Sequence, residues 1–78
     1  MLKSTYYAVI GNKTIDLPLM YTNITQAAAW LDKRTESEKE VRIYERFPVI
    51  TADGTVDHKI YDVTKQCLDV LWNYYEGN

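Results

Sequence analysis

Two short turn signals, each lying between strand-like segments, constrain the fold of this chain more than any other feature. The first is Gly11-Asn12, between strand-like runs over 6–10 and 13–17. The second is Asp53-Gly54, between runs over 41–50 and 55–61. Two-residue turns of this composition connect the strands of β-hairpins, with a type II′ turn expected at the first position and a type I′ turn at the second. The chain is therefore predicted to form two hairpins.

A helix is predicted after each hairpin. Asn23 can cap the first helix, and Gln26 stands three residues later, as in a capping box. This helix is predicted at about 24–34, and the charged segment at 35–40 is predicted to be a solvated loop. Its apolar face follows helical spacing and comprises Ile24, Ala27, Ala28 and Leu31. The second helix is predicted from Thr64 to about Tyr75, with an apolar stripe of Leu68, Leu71, Trp72 and Tyr75.

The predicted order is β-β-α-β-β-α, which indicates an α+β fold. A chain of 78 residues is expected to form one domain, spanning 1–78. The expected architecture is a four-stranded antiparallel sheet with both helices on one face. The two halves resemble each other, and either a duplication or shared turn chemistry accounts for the likeness. Leu31 and Leu71 are predicted core residues.

Hairpin register predicts which side chains share a face, because strand side chains alternate. A two-residue turn at Asp53-Gly54 places Phe47 opposite Ile60 and Val49 opposite His58. The core side is then predicted to carry Val41, Ile43, Phe47, Val49 and Ile60. Glu45 falls on that side too, and is expected near an edge or a bulge. The opposite, outer face is predicted to carry Tyr7, Asp16, Arg42, Tyr44, Arg46, Lys59 and Tyr61.

The aromatic content points to recognition rather than catalysis. The chain has seven tyrosines and two tryptophans, but one histidine and one cysteine. Tyr and Trp supply contact area at interfaces, whereas catalytic and metal sites need clustered His, Cys and carboxylate groups. We therefore expect a binding protein, not an enzyme, with no catalytic residue, no metal and no cofactor. His58 is placed on the core side and interpreted as a packed or edge histidine, and Cys67 is interpreted as a small buried residue.

Three partner classes follow from the predicted surfaces. A net charge of −2 favours a protein partner over non-specific nucleic-acid binding. The leading candidate surface is the outer face, although cross-strand stabilisation explains its composition equally well. The runner-up is a nucleotide or single-stranded nucleic acid bound by Tyr44, Tyr61, Arg42 and Arg46. The third is a structural homodimer without a ligand. Val70 and Tyr74 on the second helix are expected to form an exposed aromatic patch, which would be either a dimer contact or a competing partner site.

Two further features bear on context. No signal peptide or membrane-spanning stretch is apparent, so a cytoplasmic protein without membrane contact is expected. The helix segment Ala27–Leu31, the charged loop after it and the strand Ile43–Val49 resemble small accessory proteins encoded by bacteriophages and prophages. That resemblance implies a non-enzymatic inhibitor of a host or defence protein, of the anti-CRISPR kind, acting in the host cytoplasm. It implies no particular site residues.

Overall fold

A computed structural model describes residues 3–34 and 40–77 and confirms the α+β fold. The described residues contain six elements: β1 (Thr5–Ile10), β2 (Lys13–Asp16), α1 (Ile24–Asp32), β3 (Val41–Ile50), β4 (Val56–Asp62) and α2 (Thr64–Glu76). The strands pair into one antiparallel sheet in the order β2-β1-β3-β4. The predicted loop at 35–40 lies outside the described residues, apart from Glu40.

The first hairpin has the predicted turn and register. Gly11 has a φ of 63°, and no other residue of the turn has a positive φ, as a type II′ turn requires. Tyr7 lies opposite Asp16, and Ala8 lies opposite Ile15. Local turn chemistry was therefore sufficient to predict the pairing of β1 with β2.

The second hairpin corrects the predicted register. The Thr51 N–H donates to the Thr55 carbonyl at 2.9 Å, and the Gly54 N–H donates to the Thr51 carbonyl at 3.0 Å. Gly54 has a φ of 86°. These bonds define a three-residue turn with glycine in the left-handed region, rather than a two-residue turn. Phe47 consequently pairs with Lys59 instead of Ile60. A one-residue shift moves every β4 side chain to the opposite face.

The N-terminus of α1 is capped as predicted. The Asn23 side chain accepts a hydrogen bond from the Gln26 N–H at 2.9 Å. The Gln26 side-chain oxygen accepts from the Thr22 N–H at 2.8 Å, one residue before the cap. Ala27, Ala28 and Leu31 are buried, which confirms the predicted face, and Trp30 is buried with them.

The predicted apolar stripe of α2 is wrong. Leu68 and Trp72 are exposed, and so is Tyr75, while Cys67 is fully buried and Leu71 is half-buried. The anchoring of the first turn explains this orientation. The Thr64 hydroxyl oxygen accepts the N–H of Ile43 at 2.8 Å, and the Asp62 carboxylate accepts the Thr64 N–H at 3.0 Å. These bonds turn the side of α2 that carries Cys67 toward the sheet.

Both helices pack on one face of the sheet, around a small core. The buried members are Tyr6, Ala8, Leu17, Ala27, Ala28, Trp30, Leu31, Ile43, Val63 and Cys67. Glu45 lies on this face, but β3 is a central strand paired without interruption, so the expected edge or bulge is absent there. Instead the Ser4 hydroxyl donates a hydrogen bond to the Glu45 carboxylate.

Beyond the core, β3 and β4 continue as a two-stranded arm, defined here as residues 47–60. The pairing of β1 with β3 ends at the Thr5–Arg46 pair. Pro48 follows beyond the end of β1, so its missing N–H removes no hydrogen bond of the β1–β3 ladder. The arm contributes to a longest molecular dimension of 46 Å. The predicted core positions Phe47 and Ile60 belong to the arm and are exposed, and Val49 is half-buried.

Candidate protein-recognition surface

Four side chains form an ordered cluster in the middle of the outer sheet face. Tyr7 and Tyr44 are cross-strand neighbours, and their rings stack with centroids 5.2 Å apart and planes inclined by 19°. The Arg46 guanidinium lies 4.3 Å from the centre of the Tyr7 ring. It also donates to the Asp16 carboxylate at 3.0 Å. We call Tyr7, Tyr44, Arg46 and Asp16 the outer-face cluster.

Arg42 extends this face on β3. Its guanidinium contacts the Glu40 carboxylate at 2.8 Å and the Asp62 carboxylate at 3.0 Å. Glu40, and then Asp62, raise the pKa of Arg42 above its ordinary value. Together with the Arg46–Asp16 pair, two guanidinium groups face three carboxylates. The arginines of the outer face therefore carry no excess positive charge for a phosphate.

Lys59 and Tyr61 do not belong to this face, contrary to prediction. Tyr61 pairs with Glu45 and Lys59 with Phe47, so both lie on the side that carries the helices. The Tyr61 ring contacts Phe47 edge-on, with centroids 6.5 Å apart. Tyr61 consequently cannot form a stacking platform with Tyr44. The three-residue turn is the physical reason, because it shifts β4 by one position.

The arm exposes large apolar side chains on both of its faces, which the sequence interpretation missed. Ile50, Val56 and Ile60 lie on the outer side, and Phe47 lies on the helix side, next to Tyr61 at the base of the arm. Each is exposed by 45% or more. The alternation of side chains along β3 could be predicted from the sequence. The sequence did not predict that β1 stops pairing at Arg46, which leaves the arm uncovered.

A concave surface lies between the helices. Its volume is about 440 Å³, and its lining residues are Thr25, Ala28, Ala29, Asp32, Val70, Leu71, Tyr74 and Tyr75. The Tyr75 hydroxyl donates to the Asp32 carboxylate at 2.8 Å, which raises the pKa of Tyr75. Tyr74 is exposed, and its ring contacts the Tyr75 ring edge-on, with centroids 5.1 Å apart. Val70 is half-buried against the core rather than fully exposed.

The residues with reactive side chains lie apart. His58 is exposed on the outer side of the arm opposite Pro48, so its predicted core-side position is wrong. Cys67 is buried, and burial raises its thiol pKa to about 11. Within residues 3–34 and 40–77, no three His, Cys, Asp or Glu residues gather as metal ligands would. No helix in those ranges has the length and apolar character needed to cross a membrane.

Comparisons with protein families, with curated proteins and with solved structures give no match for this chain.

Proposed function

We propose that this chain is a small non-enzymatic binding protein that occupies a protein partner through its outer-face cluster. The observation that carries the proposal is the order of this cluster on a sheet face that neither helix covers. Tyr7 and Tyr44 are stacked, and Arg46 is fixed from two sides, by the Tyr7 ring and by Asp16. Side chains held in one arrangement lose little conformational entropy on binding. Tyr and Arg are also enriched among residues that dominate interface energies.

The distribution of charge favours a protein over a nucleic acid as the partner. A phosphate ligand would have to compete with Asp16 for Arg46 and with Glu40 and Asp62 for Arg42. A protein surface of mixed charge can instead match alternating acidic and basic groups around an aromatic centre. The resemblance to phage accessory proteins leads us to include an inhibitor of a host or defence protein within this proposal.

The experiment begins with affinity capture of the partner from the native host, followed by mass spectrometry. Binding of the purified partner is then measured calorimetrically for wild type, Tyr44→Ala and Arg46→Ala. Each substitution is expected to weaken binding by about thirtyfold, corresponding to a hot-spot loss of about 2 kcal/mol. Tyr74→Ala is the matched control, because it removes a tyrosine of similar type from the helical side.

Two outcomes would refute the proposal. Unchanged affinity in both outer-face variants, with binding lost in Tyr74→Ala, would move the site to the groove between the helices. Capture of nucleic acid, with affinity falling steeply as salt is added, would indicate phosphate recognition instead. Thermal melts of all variants are needed as a control, since loss of the Tyr7–Tyr44 stack itself costs about 0.5–1.5 kcal/mol of stability.

A further inference from the structure

The free edge of β4 is complementary in composition to the same edge of a second copy of the chain. β4 is an edge strand, and all seven of its residues are exposed. It pairs with β3 without a bulge from Val56 to Asp62. Natural edge strands are usually shortened, bulged or covered, because their unpaired backbone groups attract other strands. This edge has a single lysine, Lys59, and one covered N–H, that of His58, which donates to the Asp57 carboxylate at 2.8 Å.

The hydrogen bonds of the hairpin show which backbone groups point outward. The Thr51 N–H bonds to the Thr55 carbonyl, and the Val63 N–H bonds to the Ile43 carbonyl. Hydrogen-bonded and non-hydrogen-bonded pairs alternate along an antiparallel ladder. Asp57, Lys59 and Tyr61 therefore direct their backbone groups toward β3. The N–H and C=O groups directed toward the free edge belong to Val56, His58, Ile60 and Asp62.

We propose that two copies of this chain associate through antiparallel pairing of their β4 strands, with His58 on the twofold axis. In this register each His58 N–H leaves the Asp57 carboxylate of its own chain and donates to the backbone carbonyl of the other copy's His58. Val56 lies opposite the partner's Ile60, and the Val56–Ile60 pair occurs twice by symmetry. Asp57 lies opposite the partner's Lys59, again twice. The result is a continuous eight-stranded sheet with one isologous interface.

Charge complementarity selects this register over its neighbours. Shifting the pairing so that Lys59 meets Lys59 puts like charges directly opposite, which is destabilising. A further shift, centred on Ile60, would place Asp62 opposite the other copy's His58. The Asp62 carboxylate is already bound to Arg42 and to the N–H of Thr64. In the register centred on His58, Asp57 and Lys59 can pair, since neither makes a salt bridge among the described residues. Asp57 has only one hydrogen bond to exchange for this pairing, the one that it accepts from the His58 N–H.

The test is a charge-swap series followed by sedimentation equilibrium and light scattering. Wild type is expected to show a mass of twice 9.1 kDa. Asp57→Lys places two cations opposite each other in each cross-strand pair, and Lys59→Glu places two carboxylates there. Each single variant should therefore dimerise about tenfold more weakly or worse. An equimolar mixture of the two single variants can form a heterodimer. One of its two cross-strand pairs then joins the introduced lysine to the introduced glutamate, and the other is the native Asp57–Lys59 pair. Association should therefore be restored in the mixture.

A backbone variant tests the strand pairing without changing charge. His58→Pro removes an outward N–H without removing a bond to β3, and should abolish association while the fold is retained. Circular dichroism of each variant excludes misfolding as the cause.

This inference is independent of the proposed function, and the controls separate the two. Tyr44→Ala and Arg46→Ala should leave the dimer intact. A wild type that remains monomeric at millimolar concentration would overturn the proposal. So would single variants that dimerise like wild type, or a mixture that fails to restore association. Loss of the dimer in Tyr74→Ala alone would place the contact on the helices and would also overturn it.

Discussion

Leu31 and Leu68 provide a direct test of how α2 lies on the sheet, because the same leucine-to-alanine change removes identical atoms from opposite environments. Leu31 is 6% exposed within the core, whereas Leu68 is 53% exposed. Leu→Ala at a buried site costs about 2.7–5 kcal/mol, from lost burial and the cavity left behind. Leu68 buries only about half of its side-chain surface, so its truncation removes less buried area and leaves no closed cavity. The expected cost is therefore about 1 kcal/mol or less.

These magnitudes translate into separable melting temperatures. The whole chain is expected to have about 4–12 kcal/mol of unfolding free energy, so Leu31→Ala removes a large fraction of it. At about 4–8 °C for each kcal/mol, Leu31→Ala should lower Tm by about 10 °C or more, and Leu68→Ala by a few degrees. The assay is thermal circular dichroism at several protein concentrations, with half-buried Leu71→Ala as an intermediate case.

Equal destabilisation by Leu31→Ala and Leu68→Ala would refute this orientation of α2. It would show that Leu68 lies in the core, as the sequence pattern alone had suggested. A Leu68→Ala effect that depends on protein concentration would instead place Leu68 at a contact between copies.

Three further predictions concern the turn and the buried thiol. Gly54→Ala should cost about 1–2 kcal/mol, since the added methyl meets no atom within 4 Å and the penalty comes from the positive φ; Gly54→Asn, which tolerates that conformation better, should cost less in urea unfolding. Hydrogen bonds from Thr51 and then Thr55 lower the pKa of Asp53 to about 2, so its stabilising effect is present above about pH 4 and is lost as pH falls toward 2. The Tm difference between wild type and Asp53→Ala should therefore shrink over that interval, and a constant difference would contradict the assignment. Cys67 should react with a thiol reagent at neutral pH only after unfolding, because it is buried and its pKa is raised to about 11; rapid labelling of the native protein would show that the thiol is accessible.

Local chemistry explains why the elements and the first hairpin could be predicted from the sequence. A cap at Asn23 and a two-residue turn at Gly11 act within a few residues, and no distant contact has to be known. The second turn shows the limit of such reasoning. Asp-Gly suits both a two-residue turn and the end of a three-residue turn. Here the Asp53 carboxylate accepts hydrogen bonds from the Thr51 and Thr55 hydroxyls, which accompany the longer turn.

That single residue of turn length determined only which side chains of β4 share the face of the candidate surface. Arg42, Tyr44 and Arg46 share a face because they alternate on one strand, so their grouping could be predicted without knowing the turn. Tyr7 joins them through the first hairpin and its pairing with Tyr44. Lys59 was predicted on the same face only through the second turn, and its assignment failed with that turn.

The phase of α2 could not be predicted because apolar residues surround most of the helix. Cys67, Leu68, Val70, Leu71 and Trp72 occupy more than one face, so several stripes fit the pattern equally well. The choice among them depends on Thr64 bonding to Ile43, a contact 21 residues apart in sequence.

Four small side chains in the core connect the fold to the proposed role. Ala8, Ala27, Ala28 and Cys67 are at most 1% exposed, and they allow helix and sheet backbones to approach closely. The core includes Tyr6 and Trp30, but Trp72, Tyr74 and Phe47 remain at the surface. Exposed apolar area on this scale is costly for a small monomer unless a partner covers part of it. The outer-face cluster is uncovered because both helices pack on the other face of the sheet, and the arm is uncovered because the pairing of β1 with β3 ends at Arg46. Both surfaces can be tested separately because their residues do not overlap.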